Sequence, residues 1–185
     1  MTETNKVDVF ALLDVLDNLK HLKRTGWVKC GVPEPETVAC HMYRMAVLAM
    51  SLEGQIAGID VVRAVKMALV HDIGEAIVGD ITPKCGVSEE EKFEREQTAV
   101  RIISSYVPNV NGEWEELWKE YEEATSLTAK IVKHLDKFDM IVQAKKYEDK
   151  YGIDLKEFFT STEGVLTIEP FATWDKQLRE KRENI

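Results

Sequence analysis

Four residues of this 185-residue chain are of types that bind metal ions, and each lies where a folded protein would not leave it unpartnered. His41 falls among Val38, Met45, Leu48 and Leu52 at spacings of three and four, so an imidazole interrupts an apolar helical stripe. His71 shares a face with Ala64 and Ala68, and Asp72 follows it near Val61, Val65 and Ala68. Asp136 falls in the middle of a stripe made by Ala129, Val132, Met140 and Gln143. A lone core histidine is usually satisfied by a hydrogen bond, and a lone buried aspartate by a cap or an ion pair. Here three separate segments each turn His or Asp inward. One divalent cation would satisfy two imidazoles and two carboxylates together. His41, His71, Asp72 and Asp136 are therefore the candidate metal ligands.

Two more carboxylates stand close by in the chain. His-Asp-Ile-Gly-Glu (71–75) sets Glu75 one helical turn beyond His71, and Val-Gly-Asp-Ile-Thr-Pro (78–83) delivers Asp80 where that helix should end. Taken singly, Glu75 reads as a surface carboxylate and Asp80 as a turn residue. Beside a metal they read as hydrolytic machinery: one carboxyl takes a proton from an attacking water or gives one to a leaving alkoxide. Glu75 and Asp80 are the candidate catalytic residues.

The elements that must position these groups are helical. The spacing predicts a helix over 7–23 and a structured loop over 24–35, marked by Gly26, Gly31, Pro33 and Pro35. A second helix is expected from Glu36 to about Gly54, and a third from about Asp60 that stops before Gly79. Ser88 with Glu91 forms a capping box for a fourth helix ending near Pro108. A fifth is expected over 113–125 and a long sixth from Leu127 to about Tyr151. The sixth is apolar on two sides: Leu127, Ile131, Leu135, Phe138 and Val142 oppose the stripe of Asp136, with Lys130, Lys133 and Lys137 pointing elsewhere. A short helix capped by Asp154 and a charged helix after Pro170 complete an all-α reading. The chain reads as one compact helical domain over 1–185, with a core over about 10–165, a charged C-terminal helix or tail over 166–185, and the metal site between core helices.

Composition sets the partners. With 24 basic and 33 acidic residues the formal charge is −9, which argues against a nucleic-acid polymer or an anionic membrane held by diffuse attraction. A bound anion would need a local inversion of charge, and a metal ion supplies one. Cys30, Cys40 and Cys85 are odd in number and form no CxxC pair, which suits reduced thiols in the cytoplasm or nucleus. Met1–Asp8 lacks the apolar core of a signal peptide, and no apolar run approaches the ~18 residues of a membrane span.

The order and spacing of His41, His71-Asp72 and Asp136 resemble the H…HD…D signature of the HD-domain metal-dependent phosphohydrolases. His-Met-Tyr-Arg-Met-Ala (41–46) and Ala-Leu-Val-His-Asp-Ile-Gly-Glu-Ala-Ile-Val-Gly-Asp-Ile-Thr-Pro (68–83) resemble, more specifically, the HD domain-containing 5'-deoxynucleotidases. Leu-Lys-Arg-Thr-Gly-Trp-Val (22–28) and Lys-Phe-Asp-Met-Ile-Val-Gln-Ala (137–144) extend the likeness, which runs over about 10–165. It implies a helical, usually homodimeric enzyme that hydrolyses deoxyribonucleoside 5'-monophosphates with Mn²⁺, Co²⁺ or Mg²⁺. By position it implies His41, His71, Asp72 and Asp136 as ligands and Glu75 and Asp80 as acid/base and water-orienting carboxylates. It also implies a second cation shared by Glu75, Asp80 and the Ile81 carbonyl, and substrate contacts from Arg24 and Trp27. Trp27 has a plainer reading as a cap on the core. The chain departs from the family pattern at Cys40, where an acidic residue is common, and at Cys30-Gly31, where Arg-Asn is common.

Two rival readings keep part of this pattern. One is another HD phosphohydrolase, acting on cyclic nucleotides, nucleoside triphosphates or phosphonucleotides; chain length favours the stand-alone nucleotidase. The other is a non-catalytic helical module with a structural metal, against which Glu75 and Asp80 argue.

Overall fold

The protein is described here by a computed structural model covering residues 6–183; the N-terminal reading over Met1–Asn5 lies outside them. Among the described residues the regular structure is helical, and the one extended pairing is an isolated bridge between Lys23 and Thr37. Side-chain caps open five of the described helices. The Asp8 carboxylate accepts from the Ala11 amide at 3.1 Å to open α1 (Val9–His21), and Thr37 accepts from Cys40 to open α3 (Val38–Ser51). Between them, α2 (Thr25–Lys29) forms inside the segment expected as loop, because burying Trp27 draws one turn of helix onto the core.

The expected third helix is interrupted. It forms α4 (Val61–Ala68) and α5 (Glu75–Val78), joined by a tight turn in which Val70, Ile73 and Glu75 amides each bond three residues back. Glu75 is thus not one regular turn beyond His71. The cause is a close approach to α6 (Glu89–Ser105): a Cβ on Gly74 would lie 3.2 Å from the Glu96 carbonyl oxygen and 3.2 Å from Val100 Cγ2. Ser88 caps α6 as expected, but the Glu91 carboxylate pairs with Arg95 instead of closing a box.

After α7 (Glu113–Glu123) comes α8, which runs Leu127–Tyr151 between its Ser126 cap and Gly152 at φ 66°. It packs against α3, α4 and α7 on one side and against α9 (Lys156–Ser161) and α10 (Phe171–Glu183) on the other. Burial of Ile131 and Leu135 beside Val132 and Ala144 explains its two apolar stripes. Packing continues past residue 165: Leu166 and Phe171 are buried, and Arg182 on α10 pairs with Glu148 on α8. Among the described residues no helix is long and apolar enough to cross a membrane.

Among the described glycines, Gly74 has the least room for a Cβ. Gly74→Ala should cost ~1–3 kcal/mol, because the nearest obstacle is backbone that cannot rotate away. Thermal unfolding by calorimetry tests it, and an unchanged melting temperature would show that α5 and α6 separate freely.

Candidate metal centre

Three segments converge behind one cavity: α3 brings His41, the α4–α5 turn brings His71 and Asp72, and α8 brings Asp136. Each histidine is fixed through its outer nitrogen. His71 Nδ1 donates to the Ala68 carbonyl at 3.0 Å, and His41 Nδ1 lies 2.8 Å from Asp139 Oδ2. The opposite nitrogens, His41 Nε2 and His71 Nε2, are buried and make no directed hydrogen bond. His41 Nε2 faces Asp136 Oδ1 at 3.3 Å and Asp72 Oδ2 at 3.8 Å, and His71 Nε2 faces Asp72 Oδ2 at 3.2 Å. Donor atoms of His41, His71 and Asp136 lie within 4.8 Å of one another, a spacing one cation could bridge. Asp72 borders the group and also takes Arg24 Nη1 at 3.2 Å.

Electrostatics sharpen this geometry. Burial and the nearby Arg24 disfavour charge on His41, yet the Asp136 and Asp139 carboxylates outweigh both and raise its pKa to about 9. The space between those aspartates demands positive charge, which a proton or a metal ion can supply. Asp136 stays well below the usual carboxylate range, because Lys137, His41 and His71 overcome its burial. Asp72 is likewise lowered against burial by His71 and Arg24. Glu75 goes the other way: burial first, then Asp72 and Asp80, push its pKa well up, and its Oε2 has no hydrogen-bond partner. The floor therefore sets aspartates whose ionised form is favoured beside a carboxyl whose neutral form is favoured. These are donor types and charges that fit a divalent cation.

The cavity above has a volume of about 610 Å³ and is lined by Arg24, Asp72, Glu75, Asp80, Ile81 and Asp136. Asp80 Oδ2 accepts from the Thr25 amide at 2.6 Å, tying its loop to the start of α2. Trp27 also borders the cavity, but it is no exposed loop aromatic. It is 2% exposed, donates from Nε1 to Glu36 at 3.1 Å, and packs its ring 4.4 Å from that of Phe158. Burial on this scale matches the reading of Trp27 as a cap on the core, while one face still borders the cavity.

Other contributors are invisible to the ligand pattern. Asp139, one turn beyond Asp136, shares the buried face of Gln143 and orients His41. Arg44 backs it with a 2.6 Å contact from Nη2, so the grouping of Glu36, His41 and Asp139 is already filled by a guanidinium. Tyr121 donates to Asp136 Oδ2 at 3.2 Å. Lys133 and Lys137 line the cavity instead of pointing away, because their long stems carry the ammonium groups round the rim of α8. Glu96 lies on the apolar stripe of Ala99, Val100 and Ile103, and that placement was the available signal. Of the departures, Cys40 is exposed, and Cys30 contacts Glu157 at 3.1 Å on the cavity wall.

Fold and centre define an all-helical domain whose histidines and carboxylates suit a divalent cation. The HD domain profile matches residues 16–172, and the chain belongs to the HD domain family. It is 42% identical over 180 residues to the 5'-deoxynucleotidase HDDC2 of Dictyostelium discoideum, covering 91% of this chain and 95% of that protein. It is 46% identical over 156 residues to the 5'-deoxynucleotidase HDDC2 of Homo sapiens, covering 82% and 75%. A conserved hypothetical protein from Pyrococcus furiosus has the same fold at a TM-score of 0.74 and 35% identity, covering 94% of this chain and 99% of that one.

Glu96 gives a pH test of burial beside the cavity. Burial raises its pKa from 4.5 to about 7, against the opposing charge of Lys92. The folded state then binds the proton more tightly than the unfolded chain, so stability falls as pH rises from about 4.5 through 7. Glu96→Gln should raise stability by ~1–3 kcal/mol at about pH 8.5 and by much less at about pH 5. Calorimetric unfolding at both values checks this, and an equal effect at the two would contradict it.

Proposed function

We propose that the protein is a metal-dependent 5'-deoxynucleotidase, converting deoxyribonucleoside 5'-monophosphates to deoxynucleoside and phosphate. The observation that carries the reading is the pair of buried, unpartnered Nε2 atoms facing Asp72 and Asp136 at the floor of a cavity that also holds Glu75. His41, His71, Asp72 and Asp136 are assigned as the ligands of one Mn²⁺, Co²⁺ or Mg²⁺. Glu75, Asp80 and the Ile81 carbonyl are the donors available to a second. The names of the relatives support the same substrate class.

Bound there, the divalent cation supplies the positive field that offsets the phosphate's charge and makes water more acidic. The chain's own groups divide the remaining work. Water attacks phosphorus as the bond to the 5'-oxygen breaks; that oxygen takes up a proton, and the proton lost by the water restores the group that gave it. Burial beside Asp72 and Asp80 favours the protonated form of Glu75, so its carboxyl is suited to donate that proton. Asp80, held through one oxygen by the Thr25 amide, has the other free to orient the water. Arg24 is placed to meet a phosphate oxygen beside Asp72, and Trp27, Met140 and Phe158 form an apolar wall for the deoxyribose. The chain acts as a single HD domain over 1–185. Its three free cysteines suit the cytoplasm, and the family resemblance supports a homodimer as the proposed working form.

Hydrolysis of dAMP with added Mn²⁺, measured beside metal content on the same preparations, tests these assignments. Glu75→Gln should keep metal and nucleotide yet lose ~10²–10⁴-fold in kcat, since an amide of similar shape cannot transfer the proton. Wild-type turnover by that variant would sink the acid/base role. Asp72→Ala should lose both metal and activity while remaining helical by circular dichroism; full metal occupancy would remove Asp72 from the ligand set. Turnover of cyclic nucleotides or nucleoside triphosphates in place of dAMP would point to another HD phosphohydrolase. A metal-loaded but inert wild type would leave a structural module.

A further inference from the structure

The basic groups around the cavity differ in how far they are already committed. Arg24 pairs with Asp72 at 3.2 Å, Lys137 with Asp136 at 3.2 Å, and Lys92 with Glu96 at 3.5 Å. Lys84 pairs with Glu157, and Lys29 donates to the Lys84 carbonyl at 2.8 Å. Among the described residues Lys133 alone of this set has neither carboxylate nor carbonyl partner. Its ammonium stands over the Tyr121 ring, 4.2 Å from the centroid. An aromatic face holds a cation in place and offsets part of its desolvation, but it does not neutralise the charge or occupy the N–H donors.

Position adds to this. Lys133 is half-buried on α8, one turn before Asp136, and lines the same cavity. Tyr121 connects the two: its ring supports the ammonium, its hydroxyl donates to Asp136 Oδ2 at 3.2 Å, and its centroid is 4.9 Å from that of His71. The uncompensated positive charge is therefore placed about one phenol ring from the donor cluster. We propose that Lys133 is the phosphate-binding cation of the cavity, its ammonium donating to a non-bridging oxygen of the monoester. The inference rests on the cavity being the substrate site assigned above, and it makes Lys133, more than Arg24, the residue that sets affinity for the dianion.

Inorganic phosphate is the probe, titrated calorimetrically into Mn²⁺-loaded wild type, Lys133→Gln, Lys133→Arg and Lys130→Gln, whose lysine is exposed on the same helix. Lys133→Gln should weaken phosphate binding by ~10- to 100-fold, the worth of a hydrogen bond to a charged group. Lys133→Arg should restore most of it, and Lys130→Gln should match wild type. Manganese content and melting temperature should not change, and KM for dAMP should rise more than kcat falls. Equal phosphate affinity in wild type and Lys133→Gln would overturn the proposal, as would a loss accompanied by lost manganese or a lowered melting temperature. Phosphate binding that depends on Lys133 without dAMP turnover would uphold the subsite and fail the nucleotidase reading. Turnover with phosphate affinity indifferent to Lys133 would do the reverse.

Discussion

A fully buried imidazole held between two aspartates of one helix is the constraint on which the rest of this structure depends. Asp136 and Asp139 lie one turn apart on α8, and His41 of α3 enters between them, Nδ1 toward one and Nε2 toward the other. Charges removed from water at this depth persist only when their remaining hydrogen-bonding capacity is met. On the Asp139 side it is met in full: Arg44, one turn along α3, engages that carboxylate and Gln143 and reaches Glu36. On the Asp136 side it is not, since Nε2 of both histidines lacks a directed partner. The outer shell is closed and the inner one is left short of a positive charge. That asymmetry makes the centre a candidate site for a cation, and it fixes how α3 must lie against α8.

The same asymmetry explains what the sequence made legible. His41, His71 and Asp136 betray themselves because a polar residue on an apolar stripe is a local anomaly, readable within one helix. The bounds of α8 are equally local, written in Ser126 and Gly152. Asp139 carries no less of the structure, yet its sequence position does not show it. Its partner lies 98 residues away, and nothing in its own helix says whether it backs a ligand or is one. The break between α4 and α5 is hidden for a related reason. It is caused by Gly74 meeting the backbone of α6, a contact between segments that periodicity treats separately. Trp27 was ambiguous because a glycine-flanked aromatic has the same sequence appearance whether it faces solvent or Phe158 and Tyr147. Lysines mislead most readily, since the stem follows one direction and the charge another.

For an acidic protein, the phosphate ester of the proposed reaction poses an electrostatic question, and α8 contains much of its answer. The formal charge of −9 is spread over a 21.1 kDa molecule, and mobile ions screen exposed charges beyond roughly 8 Å at physiological ionic strength. What an entering anion meets is decided instead within the cavity, where burial weakens that screening. There α8 presents opposite signs at different depths: Asp136 at the floor, which calls for a cation, and Lys133 and Lys137 at the wall. Lys137 is held by Asp136 and Arg24 by Asp72, so their positive charges are already answered. Aspartates that attract a dication and lysines that attract a dianion would cancel if they met freely. Tyr121 keeps them apart at one point, placing its ring beneath Lys133 and its hydroxyl against Asp136. Separating those charges, more than supplying them, is what lets one small cavity suit both a metal and a phosphate.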